Sequence, residues 1–383
     1  MHRRNSVVIV TFTILCALML IIYRPDISLF ASESSFEEID ELNHVKAMGL
    51  VDISRSEIAT EMKDFETTNE MLELSKMTPE SNGIPIRNVI LSTWNTGSSY
   101  LGDILNVIPG NYYFHEPLRH LGDIQIREQN TLLTEAMQLL DRVLKCNFTG
   151  LDQYMKHVIH DYNIGLSKLC GTVIPSNLCK TDATFLNAFC GIFPIQTMTE
   201  VRLRPAFVEP LLTDSELNVK IVLLIRDPRG IIASRKRDEW CAHSQECLDY
   251  KKLCQDLVFD AKAAQYLSTK YPERFKAIRY EDLSLNTFKV AKEVLDFYGL
   301  PLHKNVKQFL ISHRLDVEHS ILKSLNYKDT AFSWQSSLKF REIAKIQLQC
   351  TDALDLWGYQ QVISVQELRG DSFYPLLEYP YST

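Results

Sequence analysis

The sequence predicts an α/β fold built on a mostly parallel central sheet flanked by helices, and two observations carry that expectation. From Arg87 onward, short apolar runs alternate with longer amphipathic stretches, the pattern of strands joined by crossover helices. Within that alternation stand two strand–turn–helix segments about 130 residues apart. The first is Asn88-Val-Ile-Leu-Ser-Thr-Trp-Asn-Thr-Gly-Ser-Ser-Tyr-Leu-Gly102, and the second is Val222-Leu-Leu-Ile-Arg-Asp-Pro-Arg-Gly-Ile-Ile-Ala-Ser-Arg235. Each places small or cationic residues where a helix start exposes free backbone amides to an anion.

The elements in chain order are as follows. Residues 1–5 read as a short basic tail carrying His2, Arg3 and Arg4. Ser6 to Tyr23 is uncharged and almost wholly apolar, long enough at about 1.5 Å per residue to cross a thin bilayer. Its length and the absence of an Ala-x-Ala pattern favour a signal anchor over a cleaved signal peptide. The preceding positive charges place the tail in the cytoplasm and the remainder in a lumen. Residues 24–84 read as an acidic stem, partly helical or disordered, with a packed helical subdomain around Ile53 to Leu74 as the competing reading. Asn82-Gly83-Ile84-Pro85 reads as the boundary turn, leaving residues 85–383 as the luminal domain. There, strands are expected at Asn88–Ser92, Val173–Ile174, Lys220–Ile225 and Phe275–Arg279. Helices are expected at Ser99–Val107, Thr131–Leu144, Pro228–Lys236, Leu253–Ser268, Phe288–Tyr298 and Phe340–Trp357.

Charge and cysteine usage narrow the class. The formal charge of −7 is uneven: residues 31–80 carry −9, residues 1–30 carry +2, and residues 81–383 sum to zero. A neutral folded domain argues against a general nucleic-acid binder. Of nine cysteines, Cys16 falls in the apolar run and eight remain for the lumen, an even number that permits disulfides. Pairing is left open, with Cys247 and Cys254 as near neighbours in sequence. Cys241-Ala-His243 lacks the second ligand pair a zinc site needs, so no metal is expected. Asn147-Phe-Thr149 is a glycosylation sequon, which fits a lumen.

The two segments point to one chemistry. In Asn95, Thr96, Gly97, Ser98, Ser99 and Tyr100, the glycine allows close backbone approach, the serines add hydroxyls, and successive amides can form an anion nest. It is not a Walker A loop, because no Gly-Lys-Ser/Thr follows, and this disfavours a P-loop kinase. In the second segment, Asp227 reads as an N-cap and Pro228 as the first helical residue. Arg226 then stands at the strand end, able to grip a phosphate bidentately, with Ser234 two turns on. A structural Arg–carboxylate pair is the alternative there. Two phosphate sites of this kind suit a nucleotide phosphorylated at both ends, the shape of a sulfuryl donor.

At this point the chain resembles the Golgi carbohydrate 6-O-sulfotransferases, which act on N-acetylglucosamine, galactose or N-acetylgalactosamine. The resemblance covers most of residues 87–360. It rests on Asn95-Thr-Gly-Ser-Ser-Tyr100, His115-Glu-Pro-Leu118, Arg202-Leu203 before Pro210-Leu-Leu, and Arg226 through Arg235. Arg279-Tyr-Glu-Asp-Leu283 and Trp334…Cys350…Gly358-Tyr359 complete it. It implies a single P-loop-like sulfotransferase domain and the donor 3′-phosphoadenosine-5′-phosphosulfate, without metal. Residues 95–100 would hold the 5′-phosphosulfate, and Arg226 and Ser234 the 3′-phosphate. Sulfuryl transfer would go to a hydroxyl, expected to be the 6-hydroxyl, of a hexosamine or galactose in a glycan or proteoglycan. The setting would be the Golgi membrane, single-pass type II, with a homo-oligomer left open.

Such a transfer needs a base for the acceptor proton and a donor for charge on the leaving oxygen. Glu116 is the expected base, with a structural pairing to an arginine such as Arg202 as its alternative. His115 and His120 read as structural. Asn95 stands where the family has arginine, and Gln335 follows Trp334 where the family often has arginine. Arg119 or Lys180 could replace the missing charge. The rival reading is a catalytically impaired relative that binds nucleotide or glycan without turnover, and acceptor contacts are expected from Gln125 to Thr199.

Overall fold

The computed structural model describes residues 27–63, 65, 73–157, 163–171, 173–175, 178–319, 327–370 and 373–378. The chain divides into two compact units, Met1–Gly49 and Leu50–Thr383. The expected tail and membrane span, residues 1–5 and 6–23, lie outside the described residues, and no described helix is long and apolar enough to cross a membrane. Helix α1 runs Ile27–Glu61. Within the second unit, Val51, Ile58, Met62 and Phe65 are buried, and Phe65 stacks on His303 at 5.3 Å. The expected stem boundary at residue 84 therefore falls inside the packed unit. The stretch from Leu50 is anchored by apolar burial worth about 1.5–3 kcal/mol per large side chain.

Five parallel strands form the sheet in the order β2-β3-β1-β4-β5. They are β1 Ile86–Leu91, β2 Asn111–His115, β3 Ile195–Glu200, β4 Val219–Ile225 and β5 Phe275–Arg279. Nearly every strand residue is buried, as expected when both faces of a parallel sheet are covered. Helix α2, Ser98–Asn106, packs on β1, β2 and β3. Gly102 permits that approach, since a Cβ there would lie 2.1 Å from the Tyr113 hydroxyl oxygen. Helix α3, Thr131–Leu144, is capped by Asn130 and buries Ala136, Leu139, Leu140, Val143 and Leu144 at helical spacing. Further on come α4 Pro228–Arg235, α5 Tyr250–Lys270, α6 Tyr280–Leu285, α7 Thr287–Tyr298 and α8 Phe340–Leu356.

Two strand expectations need correction. Val173 and Ile174 form no sheet strand: Ile174 makes a single bridge to Cys170 inside a loop closed by Cys170–Cys179. Strand β3 was not anticipated. Its sequence Ile-Gln-Thr-Met-Thr-Glu looks half-exposed by alternation, yet all six residues are buried. Polar partners make this tolerable: Gln196 accepts from Arg87 at 2.9 Å, and Thr199 exchanges a hydrogen bond with Tyr113 at 2.8 Å.

The other disulfides join Cys146 to Cys190, Cys241 to Cys247 and Cys254 to Cys350. Cys247 and Cys254 are thus not partners. Cys254 sits in the first turns of α5 and faces α8, which carries Cys350.

Candidate active site

Each strand ends in residues that build the site. The connection after β1 runs to one side of the sheet and that after β4 to the other, so a crevice opens beyond the carboxyl ends of these neighbouring strands. A cavity of about 500 Å³ lies there. Its lining combines Trp94, Asn95, Gly97, Ser98 and Ser99 after β1 with His115, Glu116, Arg119 and Asp123 after β2. Val201 and Arg202 after β3, and Arg226, Ser234, Asp238 and Trp240 after β4, join them, with Tyr280 after β5 and Thr330.

The first loop is open at its helix start. Gly97 caps α2 at φ 98° with no side-chain cap, so the leading amides have no side-chain acceptor. A Cβ on Gly97 would lie 2.4 Å from the Tyr280 ring, which fixes glycine at this position. Asn95 is also left-handed, at φ 63°, a conformation asparagine tolerates. Its Nδ2 donates to Asp238 Oδ2 at 2.9 Å. Of the six residues expected in this loop, Thr96 and Tyr100 turn their side chains away. The Thr96 hydroxyl donates to the Thr93 carbonyl at 2.7 Å, and Tyr100 is buried against Phe309.

The second segment divides two arginines between two tasks. Arg229 is the structural one: fully buried, it grips Asp227 through both carboxylate oxygens and lies 4.1 Å over the Trp334 ring. Asp227 also accepts from the Arg229 amide at 2.8 Å, capping α4 as expected. Arg226 has no carboxylate partner within ion-pair distance among the described residues. It donates to the carbonyls of Asn95 at 3.1 Å and Thr330 at 2.9 Å, stacks over Tyr280 at 4.5 Å, and keeps a buried Nε with no acceptor. A nearly buried guanidinium that lines the cavity and has no carboxylate to neutralise it fits an anionic ligand.

On the far side, Glu116 follows β2 at φ 46°, an uncommon conformation for a non-glycine residue. Its amide donates to the Thr199 carbonyl at 2.8 Å, and its Oε2 accepts from Arg202 Nη1 at 2.7 Å. The carboxylate pairs with Arg202, as the structural alternative expected, and it also lines the cavity. Glu200, at the end of β3, supports that pair by accepting the amides of Leu118, Val201 and Arg202 at 3.0, 2.8 and 2.8 Å. Burial nonetheless pushes Glu200 up to about 7. His115 lines the cavity, and burial lowers its pKa, so it is neutral near pH 7. His120 donates to or accepts nothing in the cavity; its ring pairs with the Pro117 carbonyl at 3.0 Å.

Arg119, exposed on the turn after Glu116, lines the cavity, whereas Lys180 sits on the short helix Leu178–Thr181 outside it. Among the described residues, none from 125 to 199 lines this cavity. Trp94, Asp238, Trp240, Tyr280 and Thr330 are site residues that sequence reasoning missed. Two of them carried a signal, Trp94 inside the Asn88–Gly102 segment and Tyr280 inside the Arg279-Tyr-Glu-Asp-Leu283 match.

Glu281 holds the second segment in place. Its Oε1 accepts the Asp227 amide at 3.0 Å and its Oε2 the Tyr359 hydroxyl at 2.8 Å. Burial pushes it up to about 7. A raised carboxyl binds its proton more tightly folded than unfolded, so its stabilising share is complete below about 4.5 and is lost as pH climbs to about 7. Glu281→Gln is expected to flatten the fall in melting temperature between pH 5 and 8, measured by calorimetry against the parent. An unchanged slope would remove Glu281 as a source.

Comparison with known proteins agrees with this geometry. The Sulfotransferase domain family matches residues 85–358. Human carbohydrate sulfotransferase 5 is 26% identical over 325 residues, covering 73% of this chain and 79% of its own. Rat carbohydrate sulfotransferase 1 is 26% identical over 332 residues, covering 73% and 81%. Among solved structures, the sulfotransferase domain of the Synechococcus PCC 7002 olefin synthase aligns at TM-score 0.41 and 16% identity, over 71% of this chain and 93% of its own. With the family matched across most of its packed unit, this chain belongs to the sulfotransferase domain family.

Proposed function

We propose that the chain is a carbohydrate sulfotransferase that moves a sulfuryl group from 3′-phosphoadenosine-5′-phosphosulfate to a glycan hydroxyl, the 6-hydroxyl of a hexosamine or galactose. The observation that carries the reading is one cavity holding an uncapped helix start, an arginine without a carboxylate partner, and a carboxylate opposite them. The donor supplies the activated sulfur–oxygen bond. In line with phosphoryl transfer, the chain's work is positioning and charge stabilisation. The α2 amides, Ser98 and Ser99 hold the 5′ end, and Arg226 and Ser234 the 3′-phosphate. Glu116 takes the proton of the attacking hydroxyl as the new sulfur–oxygen bond forms and the bridging bond breaks. Arg202 orients Glu116 from 2.7 Å away. Charge on the leaving oxygen would fall to Arg119 and Asn95, both on the cavity lining.

The same reading places the protein in the Golgi membrane as a single-pass type II chain, anchored by residues 6–23, with the domain in the lumen and Asn147 glycosylated. Supporting this are the apolar run, the four disulfides, and an exposed Asn147 in its sequon.

The test is calorimetric binding of 3′-phosphoadenosine-5′-phosphate beside sulfate transfer to a panel of sugar acceptors, on the native chain and on Asn95→Arg. Binding with transfer is expected, with turnover raised about tenfold or more by the added charge. Binding without transfer in the native chain would return the impaired reading. No binding by folded protein would overturn the donor pocket.

A further inference from the structure

Trp240 is out of place for a structural residue. It is 38% exposed, yet it stands on the wall of the cavity rather than on an outer helix face. It meets Trp94 edge to face, with centroids 5.4 Å apart and an interplanar angle of 82°. In that arrangement one ring offers an edge and the other a single face, so at least one face of Trp240 is left uncommitted to the pair. Two features fix its place. The adjacent Cys241 is bonded to Cys247, and both pack with Trp94 and Val201 in one small buried cluster. Arg235, buried beneath, donates to the carbonyls of Cys247 at 2.7 Å and of Trp94 at 3.3 Å, tying the disulfide loop to the first donor loop. An exposed, rigidly held indole thus shares a cavity with the Glu116 carboxylate.

We propose that Trp240 is the acceptor platform: a pyranose ring lays its C–H face on the indole, which turns a ring hydroxyl toward Glu116. A pyranose is amphipathic in the way this wall is. Its C–H face seeks apolar aromatic surface, while its rim hydroxyls need hydrogen-bond partners, here Asp123 and Arg119 on the same lining. Arg226 and Ser234 follow β4 as Trp240 does, so nucleotide titrations run beside the sugar titrations separate an acceptor platform from a donor contact. The inference rests on the carbohydrate sulfotransferase reading for the role of the bound sugar, but sugar binding itself can be measured apart from transfer.

The experiment titrates methyl glycosides and short oligosaccharides of galactose and N-acetylglucosamine into the full chain, following indole fluorescence and saturation-transfer NMR. Parallel titrations use 3′-phosphoadenosine-5′-phosphate. Native protein, Trp240→Ala and Trp240→Phe are compared, each checked for an unchanged melting temperature. Trp240→Ala should weaken sugar binding about tenfold and raise the acceptor KM by the same factor, with nucleotide affinity unchanged. Trp240→Phe should stay within about threefold of native. Equal sugar binding by native and Trp240→Ala would overturn the platform while leaving the sulfotransferase reading intact. Equal losses in the Ala and Phe variants, or no sugar binding by the native chain at millimolar concentration, would overturn it too. Failure of nucleotide binding and transfer in native protein that still binds sugar through Trp240 would overturn the sulfotransferase reading alone.

Discussion

Arg226→Ala should weaken 3′-phosphoadenosine-5′-phosphate binding by about two to three orders of magnitude in calorimetry. Loss of a buried, charge-assisted contact to an anion costs about 3–5 kcal/mol. The change acts twice. It removes one positive charge from the cavity lining, and it strips the carbonyls of Asn95 and Thr330 of the donors that hold them. Arg226→Lys separates these effects, because it keeps charge but cannot fork between two carbonyls and an anion. That variant should bind about tenfold more weakly than native protein. Affinity left unchanged by Arg226→Ala would place the nucleotide elsewhere.

The second large effect belongs to Glu116. Glu116→Gln keeps the shape and the acceptor oxygen facing Arg202 but cannot take a proton. It should lower kcat by about 10²- to 10⁴-fold while nucleotide affinity stays within twofold. A drop in nucleotide affinity matching the drop in kcat would mean that the pair with Arg202 supports the donor site and that Glu116 is not the base.

How far the sequence alone leads to this site depends on where each side chain's partner lies. Strands β1, β4 and β5 are legible because each carries a run of apolar residues, even though β1 also buries Arg87 and Asn88 and β5 buries Arg279. Helix α3 matches its expected bounds because Asn130 caps it and its apolar positions recur at helical spacing. Strand β3 is hidden because its polar residues Gln196, Thr199 and Glu200 are met by Arg87, Tyr113 and the turn after β2, partners far away in sequence. The same distance hides Asp238, whose contact with Asn95 spans 143 residues. Asn95, Gly97, Ser98, Ser99, Glu116, Arg226 and Ser234 do meet in one cavity. Their motifs are local strand-to-helix turns, and parallel strands bring such turns to a common edge. Trp240 has no such motif; only the Cys241–Cys247 closure and the packing of Trp94 give it a fixed position.

The chain's end is wired to the nucleotide side of the cavity. Arg279 donates to the carbonyls of Gly358 at 2.9 Å and Leu377 at 3.0 Å, and Tyr359 reaches Glu281, which in turn holds the Asp227 amide. A message that stopped short of codon 359 would therefore yield more than a trimmed tail. It would take the Tyr359 hydroxyl from the buried Glu281 carboxylate and the Leu377 carbonyl from Arg279, leaving the Asp227 amide with Glu281 and Asp282 with Arg279. Premature stops at this terminus would register as weakened nucleotide binding, at an arginine far upstream of the altered codons.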